Sequence, residues 1–181
     1  MTVAQIGAMP DTKDLLRAAI AFSVAGMDAY FTDRFAESLV RFLKKRGPTN
    51  DLTELLLKAG LDTKAALEML TMKRPYRRVR TLVEVYLSKY TTQKQEVIDK
   101  LFSIYGVKDL CRHAQGLSKT KNLLASVTEA VLRRHAIVHG GDLNLYDRPR
   151  PIDPKLASRY IADIDRFVTH AETILVKALK M

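Results

Sequence analysis

Between Leu15 and Phe42, apolar side chains recur at helical spacing: Leu15, Ala18, Ala19, Phe22, Ala25, Ala29, Phe31, Phe35, Leu39 and Phe42. That spacing marks a long helix. Asp11 is a good N-cap, and Asp14 three residues later resembles a capping box with Asp in place of Glu. Lys44, Lys45 and Arg46 followed by Gly47-Pro48 form a strong stop. Gly26 either bends this helix or lets another approach closely.

The rest of the chain repeats the pattern in shorter pieces. Thr49 or Asn50 caps a second helix, Leu52 to Ala59, stopped by Gly60. Asp62 or Thr63 starts a third that reaches Met72. A fourth begins in the run from Lys73 to Arg80, with Leu82, Val83, Tyr86 and Leu87 as its apolar face. Thr92 begins a fifth, which ends near Gly106, and Val107 to Gln115 is a short sixth. Ser118 caps a longer one that runs from Asn122 to Val138. Asp153-Pro154 gives an N-cap and a proline at the first helical position of a last helix reaching Lys180. No strand pair emerges; Tyr86-Leu87 and Ile104-Tyr105 lie inside helix-period segments. The expected fold is an all-α bundle with long first, penultimate and last helices. Residues 1–10 form an arm and residues 11–181 one domain, which the length of 181 residues fits.

Composition narrows the function. The formal net charge of +10 favours a polyanionic partner such as RNA, DNA or a membrane surface; a dispersed surface charge is the plain alternative. The single Cys111 cannot make an internal disulfide, so a reducing compartment is expected. The apolar run Ala18 to Met27 is too short to span a bilayer, and Asp11, Asp14 and Asp28 around it make a poor signal peptide. It reads as buried helix, and the chain as cytoplasmic. No Walker loop, dinucleotide-binding glycine pattern, Gly-x-Ser-x-Gly or cysteine cluster is present.

The penultimate helix runs into Arg133-Arg134-His135-Ala136-Ile137-Val138-His139-Gly140-Gly141-Asp142. Two glycines end it, so His139 falls in or just beyond the last turn. The free carbonyls there carry partial negative charge and favour a protonated imidazole, while Arg134 is permanently charged. A histidine that moves a proton and an arginine that holds phosphate oxygens suit a phosphodiester. Five positions apart, the two are about 140° apart on an ideal helix. They converge if the last turn loosens or if two copies meet across a two-fold axis. A solvated arginine and a C-capping histidine are the bland alternative.

Arg134, four residues, then His139, with polar His135 directly after the arginine, resembles the R-x4-6-H signature of the HEPN superfamily. Gly140, Gly141 and Asp142 are similar to its RiboL-PSP-HEPN branch. Gly141 stands where the nucleotidyltransferase-paired branch has a tyrosine, so the chain departs from that branch. The resemblance implies an all-helical, dimeric, metal-independent RNase, with Arg134 and His139 catalytic and the dimer formed through the faces that carry them. It implies a defence or toxin setting in a prokaryote or mobile element, and with it an antitoxin or regulatory protein as a further partner. It also suggests that Asp28 pairs with the motif arginine; an exposed helix acid is the alternative.

Other residues support this reading. Asp142 and Asn144 hydrogen-bond the imidazole or a ribose hydroxyl, or make turns. His135 orients the site or faces solvent. It lies four residues from His139, the spacing of two metal ligands, but no third ligand is near, so neither metal nor cofactor is expected. Lys73, Arg74, Arg77, Arg78 and Arg80, with Arg133, are the nucleic-acid-binding candidates, and Tyr76 and Tyr90 can stack on bases. A non-catalytic HEPN-like dimer that binds nucleic acid or scaffolds another protein is the runner-up.

Overall fold

The computed structural model describes residues 12–179. The arm at residues 1–10, the cap at Asp11 and the end at Lys180 lie outside the described residues. Among the described residues eight helices follow one another: α1 Thr12–Arg46, α2 Asn50–Lys58, α3 Thr63–Leu70, α4 Pro75–Leu87, α5 Gln95–Ser103, α6 Leu110–Leu117, α7 Leu123–Gly140 and α8 Pro154–Ala178. Among the described residues there is no strand, only an isolated bridge between Leu143 and Pro149. The protein is all-α, with the first, penultimate and last helices the longest, as the periodicity predicts.

Local chemistry sets most of the boundaries. The Thr49 side chain accepts from Leu52 N, Asp62 Oδ1 accepts from Ala65 N, and Asp153 Oδ1 accepts from Leu156 N. Each satisfies an orphan donor of a first turn. Two expected starts move. Thr92 does not open α5, because its N–H and hydroxyl both donate to Asp28 of α1, and the helix begins three residues later at Gln95. Ser118 does not cap α7; its hydroxyl accepts from Thr120 N, and the Gln115 side chain accepts from Leu124 N at the start of α7. Asp14 makes an ion pair with Arg17 one turn on. Gly26 is exposed, with nothing within 4 Å of where a Cβ would stand, so no helix packs closely there.

The described residues form two compact units, and α1 and α8 contribute to both. One unit takes residues 12–27 and 114–170. Its core joins Ile20 and Val24 of α1, Leu123, Val127 and Ala130 of α7, and Ala157, Tyr160, Ile164 and Phe167 of α8. The other takes residues 28–113 and 171–179. Its centre is aromatic: Phe35 stacks on Tyr105 at 4.4 Å, and Phe31 and Phe42 join through edge and tilted contacts with Phe102 and Tyr105. The buried Tyr105 hydroxyl donates to the Phe35 carbonyl at 2.9 Å. In this unit α2 and α3 both pack on α4. By length and composition alone α1 is apolar enough to cross a membrane; its buried seam runs through Ile20, Val24, Met27, Phe31, Phe35, Leu39 and Phe42, but the run Ala18 to Met27 is not buried throughout as expected, since Phe22, Ala25 and Gly26 are exposed.

Candidate active site

Helix α7 is anchored at its start and emerges at its end. Leu123, Ser126, Val127 and Ala130 are buried, whereas every residue from Val131 to Gly141 is at least partly exposed. Gly141 ends the helix in the left-handed region at φ 60°, and Asp142 follows with the same φ. Glycine takes this conformation without penalty, and aspartate is among the few other residues that enter it readily. The turn closes as the N–H groups of Gly141 and Asp142 both donate to the Ala136 carbonyl, the latter at 2.9 Å. Arg150 N–H then donates to the Asp142 carbonyl at 2.7 Å, drawing the following loop back.

Two successive left-handed residues swing the Asp142 side chain inward. It has no exposed surface and meets two guanidinium groups: Arg17 Nε at 2.9 Å and Arg133 Nη2 at 2.7 Å, both on Oδ2. Arg17 also donates to the Arg150 carbonyl, and Arg133 to the Pro151 carbonyl at 2.9 Å. Burial opposes the Arg17 cation, but the hydrogen bonds and negative charge of Asp142 and Asp14 outweigh it and raise its pKa. Asp142 Oδ1 and Arg133 Nε remain buried without a partner. This cluster ties the loop after α7 to both α7 and α1.

The two neighbouring arginines of the motif thus separate. Arg133, expected to bind nucleic acid, is withdrawn: its side chain is 14% exposed and committed to Asp142 and the loop backbone. Arg134 is partly exposed and makes no ion pair among the described residues. His135 and His139 are both exposed, and their rings lie 4.6 Å apart, tilted by 49°. His139 sits in the last turn of α7, as expected.

Other assignments change. Asp142 is not free to meet an imidazole or a ribose, because the two arginines take it. Asn144 makes a turn: its side-chain oxygen accepts from Tyr146 N at 2.8 Å and Arg148 N at 3.1 Å. Asp28 holds the 92–93 segment, with Oδ1 accepting from Thr92 and Oδ2 from Gln93 at 2.8 Å. The acid that meets a motif-region arginine is Asp142, not Asp28, and that arginine is Arg133. Among the described residues no three His, Cys, Asp or Glu side chains converge as a metal site requires.

The basic cluster lies in the unit holding α4. Lys73, Arg74, Arg77 and Arg78 are exposed and make no ion pair among the described residues. Arg80 differs, being half-buried and paired with Glu84 at 2.6 Å. Tyr76 is exposed, and Lys44 Nζ lies 5.0 Å from its ring centroid, so the basic end of α1 extends the basic start of α4. Tyr90 is exposed and lies against Tyr86. A cleft of about 310 Å³ in the same unit is lined by Arg34, Glu37, Ser38, Arg41, Arg80 and Leu179. Two of its three arginines are already neutralised, Arg34 by Glu172 and Arg80 by Glu84.

Sequence reasoning missed Arg17 and Lys44. Arg17 lies 125 positions from the aspartate it holds, and no local pattern signals that. Lys44 was legible only as part of a helix stop. Compared with protein-family models, curated proteins and solved structures, the chain matches none, so the reading of this site rests on its own residues.

Proposed function

We propose that the chain is a metal-independent endoribonuclease of the HEPN type, acting as a homodimer in a prokaryotic defence or toxin setting. The observation that carries this reading is the division of labour at the end of α7. Arg133 is spent on Asp142, whereas Arg134, His135 and His139 stay accessible. A bland surface would not need its helix end fixed by a buried double ion pair while three residues of phosphate-handling type are left without one. The ribose 2′-hydroxyl attacks the adjacent phosphorus, His139 moves a proton, and Arg134 holds the phosphoryl oxygens as charge builds on them. This chemistry is complete without a metal. The exposed basic residues of α4 and the end of α1 supply phosphate contacts outside the reacting group. They serve a non-catalytic RNA-binding module equally well, so the discriminating residue is His139.

One experiment tests the reading: purified protein with total RNA in EDTA, over a dilution series, with product ends analysed. The expected result is 2′,3′-cyclic phosphate or 3′-phosphate ends. His139→Ala and Arg134→Ala should each lose cleavage with an unchanged circular dichroism spectrum. Specific activity should fall below the dimer dissociation constant measured by sedimentation. Wild-type rates from both variants would remove the site; salt-sensitive binding without cutting would favour the non-catalytic module.

A further inference from the structure

Cleavage by a 2′-hydroxyl needs two proton transfers at two different oxygens. One proton leaves the attacking 2′-oxygen, and another must reach the departing 5′-oxygen on the opposite side of the phosphorus. A site with one imidazole would use it at both oxygens in turn, or would borrow a second copy's His139 across a two-fold axis. The end of α7 presents two. His135 and His139 are four positions apart, about 40° around the helix axis, and their rings lie 4.6 Å apart on one exposed face. Neither ring makes a hydrogen bond among the described residues, so the nitrogens of both remain for a ligand. A histidine that only capped the helix would spend a nitrogen on the carbonyls of the last turn. Here backbone does part of that work: the Ala136 carbonyl takes Asp142 N–H and the Gly140 carbonyl takes Leu143 N–H. Arg134 directly precedes His135 in the chain, about 100° from it around the helix axis, and is permanently charged.

We infer that His135 is a second catalytic proton carrier, forming with His139 an acid–base pair for RNA cleavage; this rests on the ribonuclease reading above. His139 lies in the last turn, where free carbonyls attract a cation, and is the donor; His135, one turn back, is the acceptor. The 2′-hydroxyl proton passes to neutral His135 as the 2′-oxygen bonds to phosphorus. The P–O5′ bond breaks, its electron pair leaves with the 5′-oxygen, and that oxygen takes the proton of the His139 imidazolium. The products are a 2′,3′-cyclic phosphate and a free 5′-hydroxyl. The pair ends with one proton, now on His135, and exchange with water restores the starting state.

The test uses a leaving group that needs no acid. Oligonucleotides are made around a site that the wild-type protein cuts, with either the normal 5′-oxygen or a bridging 5′-sulfur at that one linkage. All reactions contain EDTA, so metal captured by two neighbouring imidazoles plays no part. Both histidines are exposed, and circular dichroism checks that the variants fold. On the oxygen substrate, His139→Ala and His135→Ala should each slow cleavage by about 100-fold or more. On the sulfur substrate, His139→Ala should recover to within about tenfold of wild type, because a thiolate departs unprotonated, whereas His135→Ala should stay slow. Wild-type rates from His135→Ala on the oxygen substrate, or failure of the sulfur to rescue either variant, would overturn the pair and leave the ribonuclease reading intact. A wild-type protein that cuts no RNA would remove that reading and the pair with it.

Discussion

Asp142 shows how one residue can be misplaced by a sound local argument. A short acid just past a helix end usually makes a turn or meets a ligand. Here two guanidinium groups claim it, and one lies 125 positions away. Removing the carboxylate leaves Arg133, 14% exposed, with no counter-ion and Arg17, 11% exposed, with only the exposed Asp14. Asp142→Ala should therefore cost about 3 kcal/mol, read as a lower urea midpoint at unchanged m-value. Asp142→Asn, which keeps the shape and an acceptor, should fall between it and wild type. A midpoint unmoved by Asp142→Ala would reduce the cluster to an ordinary surface pair. The same residues mark where sequence reading stops. Arg133 and Arg134 are identical side chains about 100° apart on the helix, and both look like outward cations in the sequence. Which one turns inward depends on where Asp142 ends up, and that depends on left-handed geometry at Gly141 and Asp142 together with a partner on α1.

Helix boundaries were legible wherever the capping chemistry is local. Thr49, Asp62 and Asp153 act on backbone within three residues, so spacing alone finds them. Thr92 and Ser118 have the same residue chemistry, but Asp28 takes Thr92 from 64 positions away and Ser118 closes a turn of its own. Helix α4 adds a different lesson. Arg74 at its N-cap makes no capping bond, Pro75 follows, and Lys73, Arg77 and Arg78 crowd the same end. The N-terminus of a helix is already positive, so cations there are unfavourable. Burial of Val79, Val83 and Leu87 offsets that cost. Such an end attracts anions. Replacing Arg74, Arg77 and Arg78 together by Gln should leave thermal stability unchanged or slightly raised while weakening RNA binding. The slope of log K against log salt should drop by about 0.7 for each single-strand phosphate that is no longer neutralised. An unchanged slope would make this end a solvated face. Arg80, paired with Glu84, should contribute little to it.

For the whole molecule, the all-α fold was readable because every long apolar pattern has a period near 3.6 and none alternates. How the helices group into two units was not, since burial partners leave no trace in periodicity. Three groups of one unit make its stability sensitive to base. Burial raises the pKa of Tyr30, with Glu172 adding to it; burial raises that of Tyr105; burial and then Asp99 raise that of Cys111. Unfolded, these groups return toward 10.0 for the tyrosines and 9.0 for the thiol. The unfolded chain therefore loses protons first, and stability that is complete below about pH 9 should decline as pH rises above it. The urea midpoint should fall between about pH 8 and about pH 11, and Tyr105→Phe should flatten that fall after an initial loss of about 1 kcal/mol for the bond to Phe35. A midpoint constant across that range would contradict the burial of these groups. The ion cluster beneath the motif also bears on timing during synthesis. A ribosome makes Asp142 125 positions after Arg17 but only three after His139, so Arg17 waits for this partner while the end of α7 meets its fastening at once. Under the ribonuclease reading proposed above, the cutting residues and their fastening therefore emerge together.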